Sequence, residues 1–581
     1  MNKQYFFERN LLALSQKDPA LCSRLSGAET TKGHYRFLDA RSGDLVPALT
    51  DPSGAARPLH SLMDPRREGE RLIAAALCVP DASPQSTDGK RARSAEGYLV
   101  LLGLGGGYYA QAALERQDIH RLLVVDYDIH GIAELLASKE YINIFQDSRF
   151  HLLVDPDPEI LEAFILETYQ PALYGGVRAI PLRTRTELDS LNFGRAGEAV
   201  KNAIDRLAGD YSVQAYFGTR WFSNIIRNLF RAEKPERPLP PVRRAAICAA
   251  GPSLDIQISR LEESRESRFV IAVDTALPAL LYRGIKPDAV VSIDCQHISC
   301  CHFMAGLPRD IPLFLDLASP PLLASLTGNP RFFSGGHPLT RYISRYWRFF
   351  PGIDTSGVNV TYAALSLAEY LGAEEIDLYG ADFSYPLGRT YARGTYIHPY
   401  FEVRQTRLNP QEAQASAFLY RTSLTKKEGD NGSKSGGSWY YVTPLLQSYR
   451  ENLEVKARSV NAVLTAIPGL GAPVSFPKRP PKRREHLRLF ATGLAAGKTT
   501  LKAGEFLENY RAGIAALPRP GQNITAFLRE LTEQESLILT TLLPACAAMQ
   551  RRHSELTAPQ TLEAVREYSL KELNAVLNSG L

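Results

Sequence analysis

Three aspartates in the middle of this 581-residue chain end apolar runs, a place where open α/β proteins often keep ligand-binding carboxylates. Asp274 ends the run FVIAVD, Asp294 ends AVVSID, and Asp382 ends EIDLYGAD. If these runs are parallel strands, their carboxyl ends meet at one edge of a sheet. A single strand-end aspartate usually caps the next helix, but three at one edge favour a polar binding pocket.

A glycine turn is expected to face the same edge. The apolar run over residues 244–250 leads directly into Gly251-Pro-Ser253-Leu. Gly251 leaves room where a phosphate could sit, Ser253 supplies a hydroxyl, and a helix start supplies unpaired N–H groups. The same residues could simply cap a helix over 256–261, so the turn alone leaves both interpretations open.

A second turn, Thr355-Ser356-Gly357, precedes a helical pattern over residues 358–371. The hydroxyls and N–H groups of Ser356 and Gly357 would make another anion-binding helix start. An N-cap that binds no ligand is the alternative.

The elements that must position these residues have the pattern of an α/β protein. Apolar strands alternate with helical stretches through the middle of the chain, which predicts a mainly parallel sheet. The predicted strands of this part cover residues 244–250, 269–274, 289–294, 312–317 and 375–382. Towards the N-terminus, a strand over 97–104, a helix over 108–116 and a strand over 121–126 form a Rossmann-like βαβ unit. Towards the C-terminus, helical periods replace strand signals.

Composition shifts divide this pattern into three domains. A Pro-rich charged stretch covers residues 232–244, and a basic Pro-broken hinge covers 478–484. We therefore predict a Rossmann-like parallel-sheet domain over 1–235, a central α/β domain over 240–475, and an α-helical domain over 485–581.

The N-terminal domain has its own glycine-rich turn, from Gly103 to Gly107. It follows a strand, and Asp126 ends the next strand, as in a dinucleotide-binding fingerprint. However, the glycines are spaced GxGxG instead of GxGxxG. We therefore interpret the turn as a packing feature of the fold and predict no cofactor there.

Composition excludes several other classes. Sixty-seven Lys and Arg against 62 Asp and Glu give a net charge of +5, too small an excess to indicate nucleic-acid binding. The seven cysteines form no CxxC pair, and Cys300-Cys301-His302 has no second ligand cluster, so we predict no structural metal. The sequence contains neither a secretory signal nor a membrane-spanning stretch, which predicts a cytoplasmic protein.

Three segments of the central domain carry a family resemblance. Their sequences are GPSLD, DTALPALLYRGIKPDAVVSID and SGVNVTYAALSLAEYLGAEEIDLYGADFSY. Together they resemble the MptE-like domain. That domain is shared by archaeal hydroxymethylpterin pyrophosphokinases and by the Maf (motility-associated factor) proteins. It is similar in outline to family-42 sialyltransferases, whose GPSL, Ser-Gly and Gly-x-Asp-Phe elements bind the nucleotide of a CMP-sugar.

The domain order resembles that of the Maf flagellin glycosyltransferases. This resemblance implies transfer of a nonulosonic acid, of pseudaminic or legionaminic type, from a CMP-sugar to Ser or Thr of flagellin. It implies nucleotide contacts from Gly251, Ser253, Ser356, Gly357 and Asp382. No cofactor beyond the donor sugar is implied.

Further site assignments also follow from the resemblance. Tyr385 would lie near the phosphate, and His398 is the nearest candidate for the catalytic base. The chain departs from the sialyltransferase pattern at Ala250, where those enzymes carry Asn.

Two alternatives stay open at the level of sequence. One is a pyrophosphokinase that transfers from ATP to a pterin alcohol, with strand-end carboxylates holding Mg²⁺. The other is a flagellin-binding scaffold without catalytic activity.

Overall fold

The structure is a computed structural model. It describes residues 3–30, 33–77, 97–234, 236, 239–429, 439–478, 501–521 and 524–579. Most of the predicted basic hinge at 478–484 lies outside these residues. The chain folds into two compact units. We call residues 1–218, 517–536 and 543–566 the N-terminal unit, and residues 219–516, 537–542 and 567–581 the central unit. The predicted three-domain boundaries stay a prediction.

The N-terminal unit contains a parallel sheet and a small antiparallel one. Its elements are α1 Lys3–Ser15, α2 Pro19–Ser26, β1 Arg36–Asp39, β2 Leu45–Thr50, β3 Ala56–Pro58, α3 Pro65–Leu77, β4 Tyr98–Leu102, α4 Tyr108–Leu114, β5 Arg121–Asp126, α5 Ile129–Ser138, α6 Ile142–Gln146, β6 Phe150–Val154, α7 Pro158–Thr168, α8 Pro171–Tyr174, β7 Val177–Pro181 and α9 Arg183–Leu188. The parallel sheet has the order β6-β5-β4-β7, and β1-β2-β3 form the antiparallel sheet. Strands β4 and β5 are buried because they lie in the middle of the sheet, which explains their continuous apolar sequence. The predicted βαβ unit is confirmed.

The long helix α10, Ser190–Ala232, leads from the N-terminal unit into the central unit. The central elements that follow are β8 Arg244–Cys248, α11 Leu254–Ser264, β9 Phe269–Val273, α12 Leu277–Tyr282, β10 Ala289–Ser292, β11 Leu313–Asp316, β12 Pro330–Phe333, α13 Pro338–Tyr346, α14 Val360–Tyr370, β13 Glu375–Tyr379, β14 Tyr385–Pro386, α15 Ile397–Glu402, α16 Gln411–Leu419, β15 Thr425–Glu428, β16 Trp439–Val442, α17 Pro444–Ala457 and β17 Val463–Ala466.

The central sheet has seven parallel strands in the order β12-β11-β10-β9-β8-β13-β17. The chain starts at β8, builds outward to β12, and then returns to place β13 on the other side of β8. Strands β8 and β13 therefore flank the point at which the strand order reverses, where open α/β sheets bind ligands. The predicted α/β class is confirmed. Strands β12 and β17 are short and partly polar, and the sequence pattern did not predict them.

A small antiparallel sheet, β14-β16-β15, is inserted between β13 and β17. It begins with Tyr385, three residues after the predicted site residue Asp382.

The C-terminal part is helical, as predicted. It contains α18 Ala503–Ala516, α19 Ile524–Glu530, α20 Glu533–Arg552 and α21 Ala558–Asn578. These helices are divided between the two compact units. None of the helices in the described ranges is long and apolar enough to cross a membrane.

Two asparagines of α10 fix the carboxyl ends of the central strands. The buried Asn228 amide donates to the carbonyls of Leu317 and Ser319 at 2.8 Å each. One turn earlier, the Asn224 amide donates to the carbonyls of Ala318, at 2.8 Å, and Cys295, at 3.2 Å. These bonds tie the loops after β10 and β11 to one helix face.

We predict that Asn228→Ala lowers the free energy of unfolding by about 2–4 kcal/mol, because two buried carbonyls lose their donor. Urea denaturation monitored by circular dichroism measures the change. Asn202→Ala, an exposed position on the same helix, is the matched control and should stay within about 0.5 kcal/mol of the parent. Equal effects of the two substitutions would contradict this account of Asn228.

Candidate functional site

A cluster of hydrogen bonds around Asp382, which follows β13, closes the point at which the strand order reverses. We call this hydrogen-bonded cluster the knot. One Asp382 oxygen accepts from the Ser253 backbone N–H at 2.8 Å, and the other accepts from the Ser253 hydroxyl. The Ser253 hydroxyl in turn accepts from the Leu470 N–H at 2.6 Å. The knot therefore joins the turn after β8, the end of β13 and the loop after β17. Burial raises the pKa of Asp382, and the hydrogen bonds from Ser253 act against that rise.

Glycine is required at this knot because the backbone at residues 251 and 471 lies very close to the Asp382 side chain. A Cβ on Gly251 would lie 2.4 Å from an Asp382 carboxylate oxygen and 2.5 Å from the Gly380 carbonyl oxygen. A Cβ on Gly471 would lie 2.6 Å from the Cβ of Asp382. The predicted GPSL and Gly-x-Asp elements thus contact each other directly. Gly251, Ser253 and Asp382 are brought together as predicted, and in this structure the Ser253 hydroxyl bonds within the fold.

A tyrosine-rich loop follows β14 and lies beside the knot. The Ala392 N–H donates to the Ala250 carbonyl at 2.9 Å, which places Tyr391 beside the turn after β8. Burial raises the pKa values of Tyr385, Tyr391 and Tyr396, while the Arg421 guanidinium acts against each rise. These phenols are therefore protonated at neutral pH, and the Tyr391 hydroxyl donates to that of Tyr396. Ala250, at the position where family-42 sialyltransferases carry Asn, is buried in the hydrophobic core beneath this loop.

The aspartates after β9 and β10 form a second group. Asp274 is buried and accepts from the Ser292 hydroxyl at 2.7 Å and from the Thr275 N–H at 2.7 Å. Asp294 is half-buried and accepts from the Gln296 N–H at 2.9 Å. Burial raises the pKa of Asp294, and the nearby negative charge of Asp274 raises it further. Asp274 is thus held by the fold, whereas Asp294 keeps part of its surface accessible.

The turn that contains Ser356 and Gly357 is organised by Asp354. The Ser356 hydroxyl donates to Asp354 at 2.7 Å, and Tyr362 and Lys456 contact the other carboxylate oxygen at 2.9 and 3.1 Å. Burial would raise the pKa of Asp354, but these partners outweigh it and lower the pKa to about 2. Asp354 is therefore a carboxylate at neutral pH.

The predicted start of the following helix was wrong by two residues. Helix α14 begins at Val360, and Asn359 is its N-cap, whose side chain accepts from the Tyr362 N–H at 2.9 Å. An Asn side chain accepts from first-turn N–H groups as well as Ser or Thr does, so Asn359 takes the role that the sequence analysis gave to the Thr355-Ser356-Gly357 turn. Ser356 lies in the preceding turn and is exposed.

His398 is placed differently from the other predicted site residues. It lies in α15 with its side chain exposed, and its carbonyl accepts from the Gln411 side chain at 3.3 Å. Across the described ranges, its imidazole makes no hydrogen bond or ion pair with the other predicted residues. Its role as the base stays a prediction.

The sequence analysis missed Asp316, which ends β11 at the same sheet edge. It is buried, and its side chain accepts from the Ala318 N–H at 2.7 Å. The signal was available, because Asp316 lies at the end of the predicted strand over 312–317 in the same way as Asp274 and Asp294.

The glycine-rich turn of the N-terminal unit is filled by its own side chains. His60 accepts from the Gly106 N–H at 2.9 Å, and a Cβ on Gly105 would lie 2.6 Å from the same imidazole nitrogen. Asp126 is fully buried and is paired with Arg185 at 3.1 Å. It also accepts from the Leu104 N–H at 2.7 Å. The carboxylate that would bind a ribose is thus used internally, in keeping with the predicted packing role.

A cavity of about 970 Å³ in the N-terminal unit lies elsewhere. Its lining includes His120 and Tyr174, near the amino ends of β5 and β7, together with Tyr211 and Gln550. Ligands of parallel sheets bind at the carboxyl edge. The cavity therefore lies at the opposite edge of the N-terminal sheet from the glycine-rich turn and Asp126.

Comparison with known proteins identifies the central domain. The profile of the family described as 6-hydroxymethylpterin diphosphokinase MptE-like matches residues 221–388. A solved structure, described as that of the MAf glycosyltransferase from Magnetospirillum magneticum AMB-1, has a TM-score of 0.60 and 13% identity to this chain. The match covers 100% of this chain and 96% of that one. The predicted MptE-like domain and Maf fold are confirmed.

Sequence relatives occur in Treponema pallidum (strain Nichols), where they are described as uncharacterized proteins. One is 34% identical over 157 residues, covering 26% of this chain and 54% of that protein. Another is 27% identical over 189 residues, covering 32% of this chain and 88% of that protein. The chain thus spans about half the length of the first of these relatives.

We predict that Gly251→Ala disrupts the knot, because the added methyl group would overlap Asp382 and the Gly380 carbonyl. The free energy of unfolding should fall by about 1–3 kcal/mol, as in overpacked cores. The matched control is Gly352→Ala in the same unit, where an added Cβ meets nothing within 4 Å. Urea denaturation compares the two variants, and a neutral Gly251→Ala would show that the turn is loosely packed.

We predict that Arg185→Met costs about 3–5 kcal/mol, because it leaves the buried Asp126 carboxylate without its counter-charge. Adding Asp126→Asn to this variant should recover part of the loss, since the uncompensated charge is then gone. Unfolding of the two single variants and the double variant measures the coupling. Strictly additive effects would show that the pair does not hold the glycine turn.

Proposed function

We propose that this chain is a glycosyltransferase that moves a nonulosonic acid from a CMP-sugar to a Ser or Thr hydroxyl of flagellin, in the cytoplasm. The observation that carries the proposal is the knot of Gly251, Ser253 and Asp382 at the reversal point of an MptE-like sheet, within a chain that has the Maf fold. This is the crevice in which open α/β sheets bind nucleotides.

Strand β14 and the tyrosine-rich loop after it supply groups suited to the leaving phosphate. In glycosyl transfer the bond between the anomeric carbon and the phosphate oxygen breaks, and negative charge develops on the nucleotide. The protonated phenols of Tyr385 and Tyr396 can donate to that charge, and the nearby Arg421 supplies a cation. This arrangement supports departure of CMP with the protein's own donors, so the proposed reaction requires no cofactor.

The Ser356-Gly357 turn is the second proposed anchor of the donor. Ser356 is exposed, so its hydroxyl can exchange the bond to Asp354 for one to a ligand without opening the core. Ser253 is buried, and its hydroxyl is already bonded to Asp382 and to the Leu470 N–H. It acts in this proposal mainly through its position, by shaping the floor on which the nucleotide lies.

We predict that CMP or CDP stabilises the full-length protein and that ATP does so much less. At about a hundred times its dissociation constant, a ligand adds roughly 2.7 kcal/mol to the folded state, which a thermal-shift assay detects. Ser356→Ala should weaken the response to CMP, because it removes a hydroxyl donor without disturbing the core. Ser459→Ala is the matched control, because this exposed serine follows α17 and its hydroxyl donates to the Lys456 carbonyl at the end of that helix.

The outcome separates the alternatives. Preference for ATP, with turnover that depends on Mg²⁺, would favour the pterin pyrophosphokinase. A folded protein that responds to no nucleotide would favour the flagellin-binding scaffold, since the knot is already satisfied by its own residues.

A further inference from the structure

We propose that His337 is the general base of the transfer and that Asp316 positions it. This inference rests on the proposed function and assigns the proton acceptor for the same site. The two residues lie at the carboxyl ends of neighbouring strands, Asp316 at the end of β11 and His337 four residues after the last residue of β12. His337 Nε2 lies 3.6 Å from an Asp316 carboxylate oxygen.

Asp316 is fixed by the fold. Its side chain is 3% exposed, and the backbone N–H groups of Ala318 and Gly335 donate to it. A Cβ on Gly335 would lie 2.1 Å from the second carboxylate oxygen, so the glycine is needed for this approach. A buried carboxylate held by backbone donors is suited to orienting an imidazole and stabilising its protonated form.

His337 is held but remains reachable. Its ring lies 4.4 Å from the Trp221 ring, centroid to centroid, and its side chain is 20% exposed. With Nε2 directed at Asp316, Nδ1 is the nitrogen that can take up a proton. In the part of the chain that the structure describes, Nδ1 makes no hydrogen bond. Arg341 also lies beside this loop, with its guanidinium 3.6 Å from the position of a Cβ on Gly336.

The pair adjoins the proposed donor site. The Thr355 hydroxyl donates to the Gly335 carbonyl at 3.3 Å, which joins the His337 loop to the Thr355-Ser356-Gly357 turn. On the other side, the Trp221 indole donates to the Cys295 thiol, next to Asp294. The His337 loop is therefore bonded to the turn that the proposed function uses as an anchor, and among the described residues the exposed His398 has no such link.

In the proposed step, the acceptor hydroxyl attacks the anomeric carbon as it loses its proton. The oxygen of the acceptor hydroxyl forms a bond to the anomeric carbon of the CMP-sugar, while the bond from that carbon to the phosphate oxygen breaks. The electron pair leaves with CMP, and the hydroxyl proton passes to Nδ1 of His337. Asp316 stabilises the resulting imidazolium.

The test measures CMP release and the mass gained by flagellin, using the full-length protein with CMP-pseudaminic or CMP-legionaminic acid. We expect His337→Gln to lower kcat about a hundredfold or more, with the CMP-induced thermal shift retained. Asp316→Asn should lower kcat less and move the acidic limb of the pH–rate profile to lower pH, because the charge that favours the imidazolium is lost. His297→Gln, at an exposed histidine, is the matched control and should keep full activity.

The outcomes are distinguishable. If the wild-type protein transfers sugar and His337→Gln keeps its kcat, the assignment of His337 is overturned while the proposed function stands. A collapse of activity in His398→Gln alone would give that role to the residue implied by the family resemblance. If the wild-type protein binds CMP but transfers no sugar from either donor, the proposed function fails and the assignment of the base fails with it.

Discussion

The Asp382 carboxylate joins three separate returns of the chain at the one place where the central sheet reverses its strand order. Both of its oxygens accept from Ser253, whose hydroxyl is in turn bound by the Leu470 N–H. A buried carboxylate is costly unless its oxygens are satisfied, so the loops after β8 and β17 must close on it together. The glycines on either side follow from this closure, because a side chain at Gly251 or Gly471 would occupy the space of the carboxylate.

The rest of the carboxyl edge is organised from outside the sheet. The α10 asparagines bind the carbonyls that follow β10 and β11, and α17 presents Lys456 to the turn at Asp354. The loop after β14 is bound to the Ala250 carbonyl beside the knot. Since short strands by themselves do not fix the loops that follow them, these contacts determine where the polar groups of the edge lie.

The two parallel sheets of the molecule use similar sequence features in different ways. In the N-terminal unit, Asp126 is sealed by Arg185, and His60 occupies the glycine turn. In the central unit, Asp274 and Asp382 are likewise held by the fold, but Asp294, Ser356 and His337 keep accessible surface. A glycine turn followed by a strand-end aspartate is thus compatible with a closed packing unit or with an open edge. The surrounding side chains decide which of the two forms.

The sequence by itself determined the α/β class, five of the seven central strands, and the placement of the GPSL turn and Asp382 at one edge of the sheet. These follow from local apolar runs and from the rule that parallel strands end at one edge. Strands β12 and β17 escaped prediction because they lie at the two edges of the sheet and because Arg331 and Thr465 interrupt their apolar runs. Only the tertiary structure decided that the Ser253 hydroxyl points to Asp382, that Asn359 caps α14, and that Asp316 lies beside His337. Each of these depends on which of several competent partners is nearest in space, and residue type and spacing along the chain do not contain that information.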